Sequence, residues 1–451
     1  MKRTLVIVVS IALALALVMP GIVGVLAQER HKRQIEMTMQ ESPHIEMVAD
    51  EYDRGWFNSR GRYRVELSDK LEAFFPRETG MDNGQRGPVT LVIDSRLHHG
   101  PFALATALDE GGTFLPVLAT VESKLSIVSG DETLLELPGT VITNIHLTGG
   151  GTARYAYDRL TLDNEGKRFT SDGAEIAVNF NASATRVDGE GKLEGLHFED
   201  PKGRLEMNPV TFSWTQSLTD FGFWAGETLL KMPAATYAGQ DVGDMALRGL
   251  QVQYAVRMPE EYVVASAELV LQELEADAWR AGPAVLSVEL ARADPVAFGR
   301  LTQALQNTSA GAKPAAGAGI AESSGELSAL LAEGAIFDLH ELRVQTPDGE
   351  VLAKLHLEFP ENAAVAKDAM LALGGLVAEL DLRLPKAVVA AAGAADPQSG
   401  QYVQLMLDTG FIQAQGDYYV THAAYKGGLL TVNGIPLPLP FGGALPPQAI
   451  E

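Results

Sequence analysis

The stretch "ARYAYDRLTLDNEGKRFTSDGAEIAVNFNASATRVDGEGKLEGLHF", residues 153–198, decides the fold. Apolar and polar residues alternate along it, and short turn signals interrupt the alternation. The earlier stretch "YRVEL", residues 63–67, shows the same pattern, with apolar side chains at odd positions and charged ones at even positions. A side-chain period of two is that of a β-strand with one apolar and one polar face.

Turn signals divide this region into short segments. They combine Asp, Asn and Gly, or Asp and Pro, and they lie at 163–166, 172–173, 188–191 and 200–201. Closely spaced strands joined by tight turns run antiparallel. We therefore predict a long, curved, antiparallel meander sheet with one polar face.

The whole chain is predicted to be a β-rich α+β protein, with its helices mainly in the C-terminal third. Residues 44–292 form the β-rich region, and residues 293–451 mix helices and strands. Asp294 as a cap and Pro295 at the first helical position predict a helix there. Residues 309–325 are rich in Ala, Gly and Ser, which predicts a flexible insert. A hairpin turning at 426–428 is predicted near the end of the chain.

The N-terminus predicts a membrane anchor. After a basic start at residues 1–4, the run 5–27 is uncharged and mainly apolar, and as a helix it spans roughly 30 Å, enough for a bilayer core. We predict a cytoplasmic stub at 1–4, a transmembrane signal-anchor at 5–27 and a stalk at 28–43. Cleavage of a signal peptide after Ala27 is the alternative. Either way, the large domain that follows is predicted to lie on the outer side of the membrane.

Composition excludes several classes of function. The formal net charge of −23 argues against nucleic-acid binding, which needs clustered Lys and Arg. The absence of cysteine excludes disulfides, thiolate metal sites and cysteine nucleophiles. The HExxH, GxSxG and GxxxxGK[ST] signatures are also absent. We therefore expect no cofactor and no metal, and the sequence contains no signature of an enzyme.

The adjacent histidines His98 and His99 are the strongest candidates for chemistry. In an extended strand they point to opposite faces, so they are poorly placed to share one metal ion. His98 falls on the charged face with Asp94 and Arg96, and His99 on the apolar face. The following Gly-Pro pair ends the strand, because proline has no N–H to donate. The structural interpretation is an orienting histidine that hydrogen-bonds a buried backbone group; the alternative is a ligand-binding or catalytic role for His99.

Three short motifs stand out: "YDRGWF", "HHGPF" and, near the C-terminus, "GDYYVTHAAYKGGLLTVNGIPL". Together they resemble the YdgA-like family of bacterial envelope proteins. The matching positions are Arg54, Gly55, Trp56, Phe57, His99, Gly100, Pro101, Leu430, Val432, Asn433 and Gly434. The resemblance implies an inner-membrane anchor and a periplasmic domain in a Gram-negative bacterium, but no settled activity. The insert at 309–325 departs from the family pattern.

Three hypotheses of function follow. The first is a non-catalytic binding or scaffolding protein in envelope maintenance, holding lipid or another apolar ligand on an apolar concave face of the sheet. The second is a periplasmic hydrolase that uses His99. The third is a structural protein that forms a homodimer through an exposed sheet edge. The aromatic cluster Trp214, Phe221, Phe223 and Trp224 is interpreted as core or sheet-edge packing, with a lipid or peptide groove as the alternative.

Overall fold

The computed structural model describes ten segments of the chain. They are residues 46–66, 89–99, 117–130, 132–164, 166–240, 243–277, 279–311, 324–361, 375–395 and 397–437. The predicted stub, anchor and stalk, together with Gly100 and Pro101, lie outside them. Of the helices within these segments, none is both long and apolar enough to span a bilayer. The described residues form two compact units, 46–218 with 306–311 and 219–305 with 324–437.

The first unit contains fourteen strands and an antiparallel main sheet. The strands are β1 Glu46–Arg54, β2 Asn58–Glu66, β3 Val89–His99, β4 Val117–Ser129, β5 Glu132–Glu136, β6 Thr140–His146, β7 Gly151–Tyr157, β8 Leu160–Asn164, β9 Lys167–Ser171, β10 Ala174–Phe180, β11 Arg186–Leu193, β12 Leu196–Asp200, β13 Gly203–Met207 and β14 Val210–Leu218. The main sheet has the order β1-β2-β3-β4-β6-β7-β10-β11-β14. β5 pairs with the end of β4. The predicted meander is therefore present.

Four strands of this meander continue past a bend. The continuations are β8, β9, β12 and β13, which extend β7, β10, β11 and β14, respectively. They pair with one another in the same order as the strands that they extend. The breaks are two-residue gaps at 158–159, 172–173, 194–195 and 208–209. Backbone hydrogen bonds cross the bend, from Asp172 N to Gly195 O at 3.0 Å and from Glu194 N to Gly173 O at 2.9 Å. The turn signal at 172–173 is thus a bend within one long strand.

The second unit contains thirteen strands and most of the helical residues. The strands are β15 Trp224–Gly239, β16 Gly243–Arg257, β17 Val263–Leu271, β18 Glu273–Ala276, β19 Trp279–Ala281, β20 Ala284–Ala293, β21 Ile336–Thr346, β22 Gly349–Glu358, β23 Val377–Pro385, β24 Gln413–Gln415, β25 Tyr418–Lys426, β26 Leu429–Val432 and β27 Ile435–Leu437. The antiparallel order is β15-β16-β17-β20-β21-β22-β23-β25-β26-β27. The hairpin β18–β19 extends it beside β16, and β24 pairs with β25.

The four described helices lie within 293–451, the region predicted to mix helices and strands. They are α1 Pro295–Gly311, α2 Ser324–Ala332, α3 Lys386–Ala395 and α4 Pro397–Asp408. Asp294 caps α1, since its Oδ1 accepts from Ala297 N at 2.7 Å. Both ends of the predicted flexible insert are helical, because α1 runs to Gly311 and α2 begins at Ser324; residues 312–323 lie outside the described segments. The change from strands to helices at 293 occurs inside the second unit.

The largest apolar core lies in the second unit, where α1 and α2 pack on the sheet. Phe223 and Phe298 meet edge to face there, with ring centroids 5.0 Å apart. Val263, Ala293 and Leu330 complete the centre of this core. The first unit has a smaller buried cluster around Leu97 and Val121. Much of its sheet is therefore only half-buried.

Two of the predicted turns do not reverse the chain, namely the bend at 172–173 and residues 188–191. Residues 188–191 lie inside strand β11 and pair with β10 and β14 along its whole length. The glycines at 189 and 191 serve a different purpose from chain reversal: they leave room for aromatic rings from β14, as described below.

Candidate functional site

His99 is buried at the end of β3. The residue is 0% exposed, and its Nε2 lies 3.1 Å from the hydroxyl of Ser59, which is itself 2% exposed. Its backbone N donates to Phe57 O at 2.9 Å. The histidine therefore holds the end of β3 against the start of β2. Its ring contacts a side-chain hydroxyl, whereas a buried backbone group was expected.

His98 points to the opposite face, as the alternation predicts. Its Nδ1 lies 2.9 Å from Asn58 Oδ1, and its Nε2 lies 3.4 Å from Glu122 Oε1. The two rings thus share no site. Within the described segments, no group of three or more His, Asp or Glu side chains is placed to hold a metal ion.

The "RGWF" motif forms the connection between β1 and β2. Arg54 ends β1, and the next three residues turn the chain into β2 at Asn58. A Cβ on Gly55 would lie 2.2 Å from Asn58 O, so only glycine fits this turn. Trp56 is 57% exposed, and Phe57 accepts the bond from His99. The structure therefore brings the first two motifs together.

The apolar face of the first unit carries aromatic rings laid over glycines. Trp214 on β14 pairs with Gly189 on β11, and a Cβ on that glycine would lie 2.4 Å from the indole Cζ2. Phe212 lies over Gly191 in the same way, with a corresponding distance of 2.3 Å. The Phe212 and Trp214 rings stack, with centroids 5.8 Å apart and planes 13° apart. Together they make a flat aromatic platform of Phe212 and Trp214.

Apolar residues of the next strands continue this platform. Ile176 and Val178 on β10 stand beside the two glycines, and Tyr155 on β7 stands beside Ile176. All three are half-buried. The Tyr155 hydroxyl donates to Pro138 O at 2.8 Å. Burial raises the pKa of Tyr155, and the neighbouring Tyr157 raises it further. The platform is thus one end of a continuous apolar surface.

The opposite face of the same sheet is mainly polar. One row crosses eight strands without an apolar side chain: Asn58, His98, Thr120, Asn144, Thr152, Asn179, Asp188 and Thr215. Hydrogen bonds join several neighbours in it, including Thr120 Oγ1 to Asn144 Oδ1 at 2.9 Å. Beside this row, β1 to β4 form a charged groove of about 700 Å³. The predicted single polar face is therefore present in the first unit.

The third motif, near the C-terminus, forms a set of hydrogen bonds around Asn433 in the second unit, which we call the clamp. Asn433 has a φ of +51°, and its Oδ1 accepts from His422 N at 2.9 Å. Its Nδ2 donates to Gly410 O at 3.1 Å and to Phe411 O at 3.3 Å. Val432 beside it is buried. The motif thus fixes the chain that follows α4 to strand β25.

The clamp positions an exposed histidine that the sequence did not single out. His422 Nδ1 lies 2.7 Å from Asp381 Oδ1, and both side chains are about 60% exposed. Lys354 on β22 lies directly opposite Asp381 in the strand register. Lys354, Asp381 and His422 line a pocket of about 380 Å³. A carboxylate on Nδ1 orients an imidazole for proton transfer at Nε2. The pocket-lining hydroxyl, that of Thr421, belongs to a buried residue and donates to Phe411 O, so it is not an available nucleophile.

Comparison with known proteins gives one family. The sequence profile of the family described as "Bacterial protein of unknown function (DUF945)" matches residues 1–440. The chain belongs to the DUF945 family. No curated protein and no solved structure matches it.

In this DUF945 chain, sequence reasoning missed the platform, although it had identified Trp214 as part of an aromatic cluster. The cluster divides: Trp214 lies on the half-buried face of the first unit, whereas Phe223 lies in the core of the second. The sequence signal that could have revealed the platform was a matching two-residue spacing in two different strands. Glycines at 189 and 191 and rings at 212 and 214 share the same period of two, which places each ring opposite a glycine once β11 and β14 pair in register.

Proposed function

We propose that this chain is a non-catalytic binding protein that holds the acyl chain of a lipid on the apolar face of its first unit. The observation that carries the proposal is the platform of Phe212 and Trp214 over Gly191 and Gly189. Rings that lie flat on a strand present an even apolar surface, to which a hydrocarbon chain fits without a deep pocket.

The expected affinity follows from the area of contact. A surface of this kind covers about one side of a bound chain. Twelve methylene groups, each half-buried, contribute about 5 kcal/mol at about 0.8 kcal/mol per buried group. This is the gross gain before the cost of association, so a single chain is held only weakly. A two-chain lipid gains about twice as much, so the ligand class that fits best is a membrane lipid rather than a free fatty acid.

The proposed place of action is the periplasmic side of a bacterial inner membrane. The apolar run 5–27, the basic residues before it and membership of a bacterial family support this proposal. The three motifs support the narrower proposal that the chain is of the YdgA-like type within its family. A role in envelope maintenance and a homodimer through a sheet edge are predictions that need their own tests.

The hydrolase hypothesis receives less support from the geometry. His99 lies beside a serine hydroxyl, but both residues are buried. A catalytic pair must reach its substrate. We therefore place the function in binding rather than in chemistry at His99.

Native mass spectrometry tests the proposal. The full chain is stripped of lipid in a neutral detergent, incubated with a bacterial membrane extract, and released from detergent in the gas phase. We expect bound lipid on the wild type and a loss of most of it in the double variant Phe212→Ala, Trp214→Ala. The matched control is Trp279→Ala, which removes an exposed ring on β19 in the second unit. A wild type that carries no lipid would refute the proposal.

A further inference from the structure

One end of the first unit carries exposed apolar side chains at the tips of its turns. This docking end consists of the β1–β2 turn at 55–57, the β6–β7 turn at 147–150 and the β10–β11 turn at 181–185. We propose that it docks on a membrane surface that contains anionic lipid, with Trp56 and Leu147 entering the interface. The proposal concerns the turns, so it does not rest on the acyl-chain site, which lies on a face of the sheet.

The strand register places the three turns at the same end. One row of paired residues runs from Asn58 through Asn144 to Asn179, and each turn begins one to three residues beyond it. Four strand spacings separate the β1–β2 turn from the β6–β7 turn, which is about 19 Å at about 4.8 Å per spacing. Trp56 and Leu147 can therefore meet one surface together. The β3–β4 connection, residues 100–116, lies outside the described segments.

The side chains at these tips are unusual for turns. Leu147 is 59% exposed and Trp56 is 57% exposed, so both are among the most exposed large apolar residues of the described segments. Turns normally carry Gly, Asn, Asp or Ser at such positions. Tryptophan is enriched at membrane–water interfaces, where its ring lies at the level of the headgroups. The two tips thus have the chemistry of residues that enter an interface.

The charge of the docking end favours an anionic surface. The three turns contain no charged residue, and the residues that flank them include Arg54, His146 and Arg186 but no carboxylate. The strand register places a serine directly opposite each arginine, Ser59 opposite Arg54 and Ser217 opposite Arg186.

The other end of the unit has the opposite character. There, β5 begins at Glu132 and β12 ends at Asp200, each beside a turn. The whole chain has a net charge of −23, so an anionic lipid surface repels most of it and attracts the arginines of the docking end. Apolar insertion and attraction of basic side chains together are the two terms of peripheral membrane binding.

The length of the chain permits this orientation. Residues 28–45 separate the predicted anchor from β1, and these eighteen residues reach at most about 60 Å when extended. Strand β1 has nine residues and is about 30 Å long. The chain can therefore leave the membrane, pass along the unit and enter β1 from the end that faces away from the bilayer.

Site-specific fluorescence tests the proposal, because the chain contains no cysteine and takes a single label at a chosen position. The full chain, labelled at Leu147→Cys, is held in nanodiscs whose phospholipid carries a nitroxide quencher on the acyl chain. The matched control is Lys167→Cys, at the β8–β9 turn of the opposite end. We expect strong quenching at position 147 and little at 167. Quenching at 147 should increase when phosphatidylglycerol replaces phosphatidylcholine.

Two variants separate the apolar from the electrostatic contribution. With the label at 147, Trp56→Ser should lower the ratio of docked to undocked chains about tenfold. Arg186→Gln should lower that ratio about fivefold in phosphatidylglycerol and leave it unchanged in phosphatidylcholine. Arg154→Gln is the matched control for charge, since Arg154 is an exposed arginine inside β7 and should not affect docking.

The outcomes distinguish this proposal from the acyl-chain site. The platform variant Phe212→Ala, Trp214→Ala should keep the quenching at 147, so either proposal can fail without the other. Equal quenching at 147 and 167 would overturn membrane docking, and so would quenching at 147 that Trp56→Ser leaves unchanged. Fluorescence at 147 that responds to protein concentration instead of to lipid would assign this end to a second copy of the chain and would overturn it as well.

Discussion

The contact between Gly189 and Trp214 can be tested with a double-mutant cycle of Gly189→Ala and Trp214→Ala. A Cβ on Gly189 would lie 2.4, 2.7 and 2.8 Å from three atoms of the indole ring. Carbon atoms in contact are normally about 3.5–4.0 Å apart. In the wild-type background the ring must therefore lift by about 1 Å. Overpacking of this kind costs about 1–3 kcal/mol.

The sign of the effect should reverse once the ring is removed. Gly189 has an extended backbone that alanine adopts without strain. With Trp214→Ala in place, Gly189→Ala should stabilise the first unit by about 0.4–1 kcal/mol, because alanine loses less chain entropy on folding. The two changes should thus couple by about 1.4–4 kcal/mol.

Native-state hydrogen exchange of the amides in β11 and β14 measures this coupling locally. A difference of 2 kcal/mol is about a 30-fold change in the opening equilibrium. Urea unfolding followed by far-UV circular dichroism gives a second value. A Gly189→Ala cost that is equal in both backgrounds, within about 0.5 kcal/mol, would refute the ring-over-glycine reasoning.

Three further predictions concern other parts of the chain. Asn433→Ala should destabilise the second unit by about 2–4 kcal/mol, and Asn433→Gly by about 1 kcal/mol less, because glycine tolerates the positive φ; unchanged amide exchange at 410–411 would count against the clamp. His99→Gln should cost about 2 kcal/mol of stability in a urea titration, because it disturbs a buried hydrogen bond; an unaltered Tm together with a lost hydrolytic activity would favour the hydrolase hypothesis. Burial first, and Tyr157 second, raise the pKa of Tyr155, so the first unit should keep this stabilisation at neutral pH and lose it as pH rises through the raised pKa. Resonance-resolved titration by NMR checks this, and Tyr157→Phe should lower the Tyr155 pKa.

Local patterns were sufficient to predict much of the fold. Alternation at 63–67 places Tyr63 in the buried face of β2, and Asp294 caps α1. The hairpin predicted at 426–428 is confirmed, since β25 and β26 pair up to Lys426 and Leu429. Each of these features depends on side-chain period, capping or turn chemistry within a few residues.

The features that failed depend on partners far away in the chain. An Asp-Gly-Glu-Gly run has the local composition of a turn, but the rings that make glycine necessary in β11 lie on β14, about 25 residues later. The division of His98 and His99 between two faces follows from the sequence, whereas Ser59 as the partner of His99 does not.

The most direct test of acyl-chain binding is quenching of Trp214 by a brominated lipid. Trp56, Trp224 and Trp279 are replaced by phenylalanine, and the full chain is held in nanodiscs while a bromine-labelled phospholipid is added. A matched variant keeps only Trp279, which is exposed in the second unit. Acyl-chain binding on this face predicts saturable quenching of Trp214 and little quenching of Trp279. Equal quenching of both residues, or none of Trp214, would contradict it.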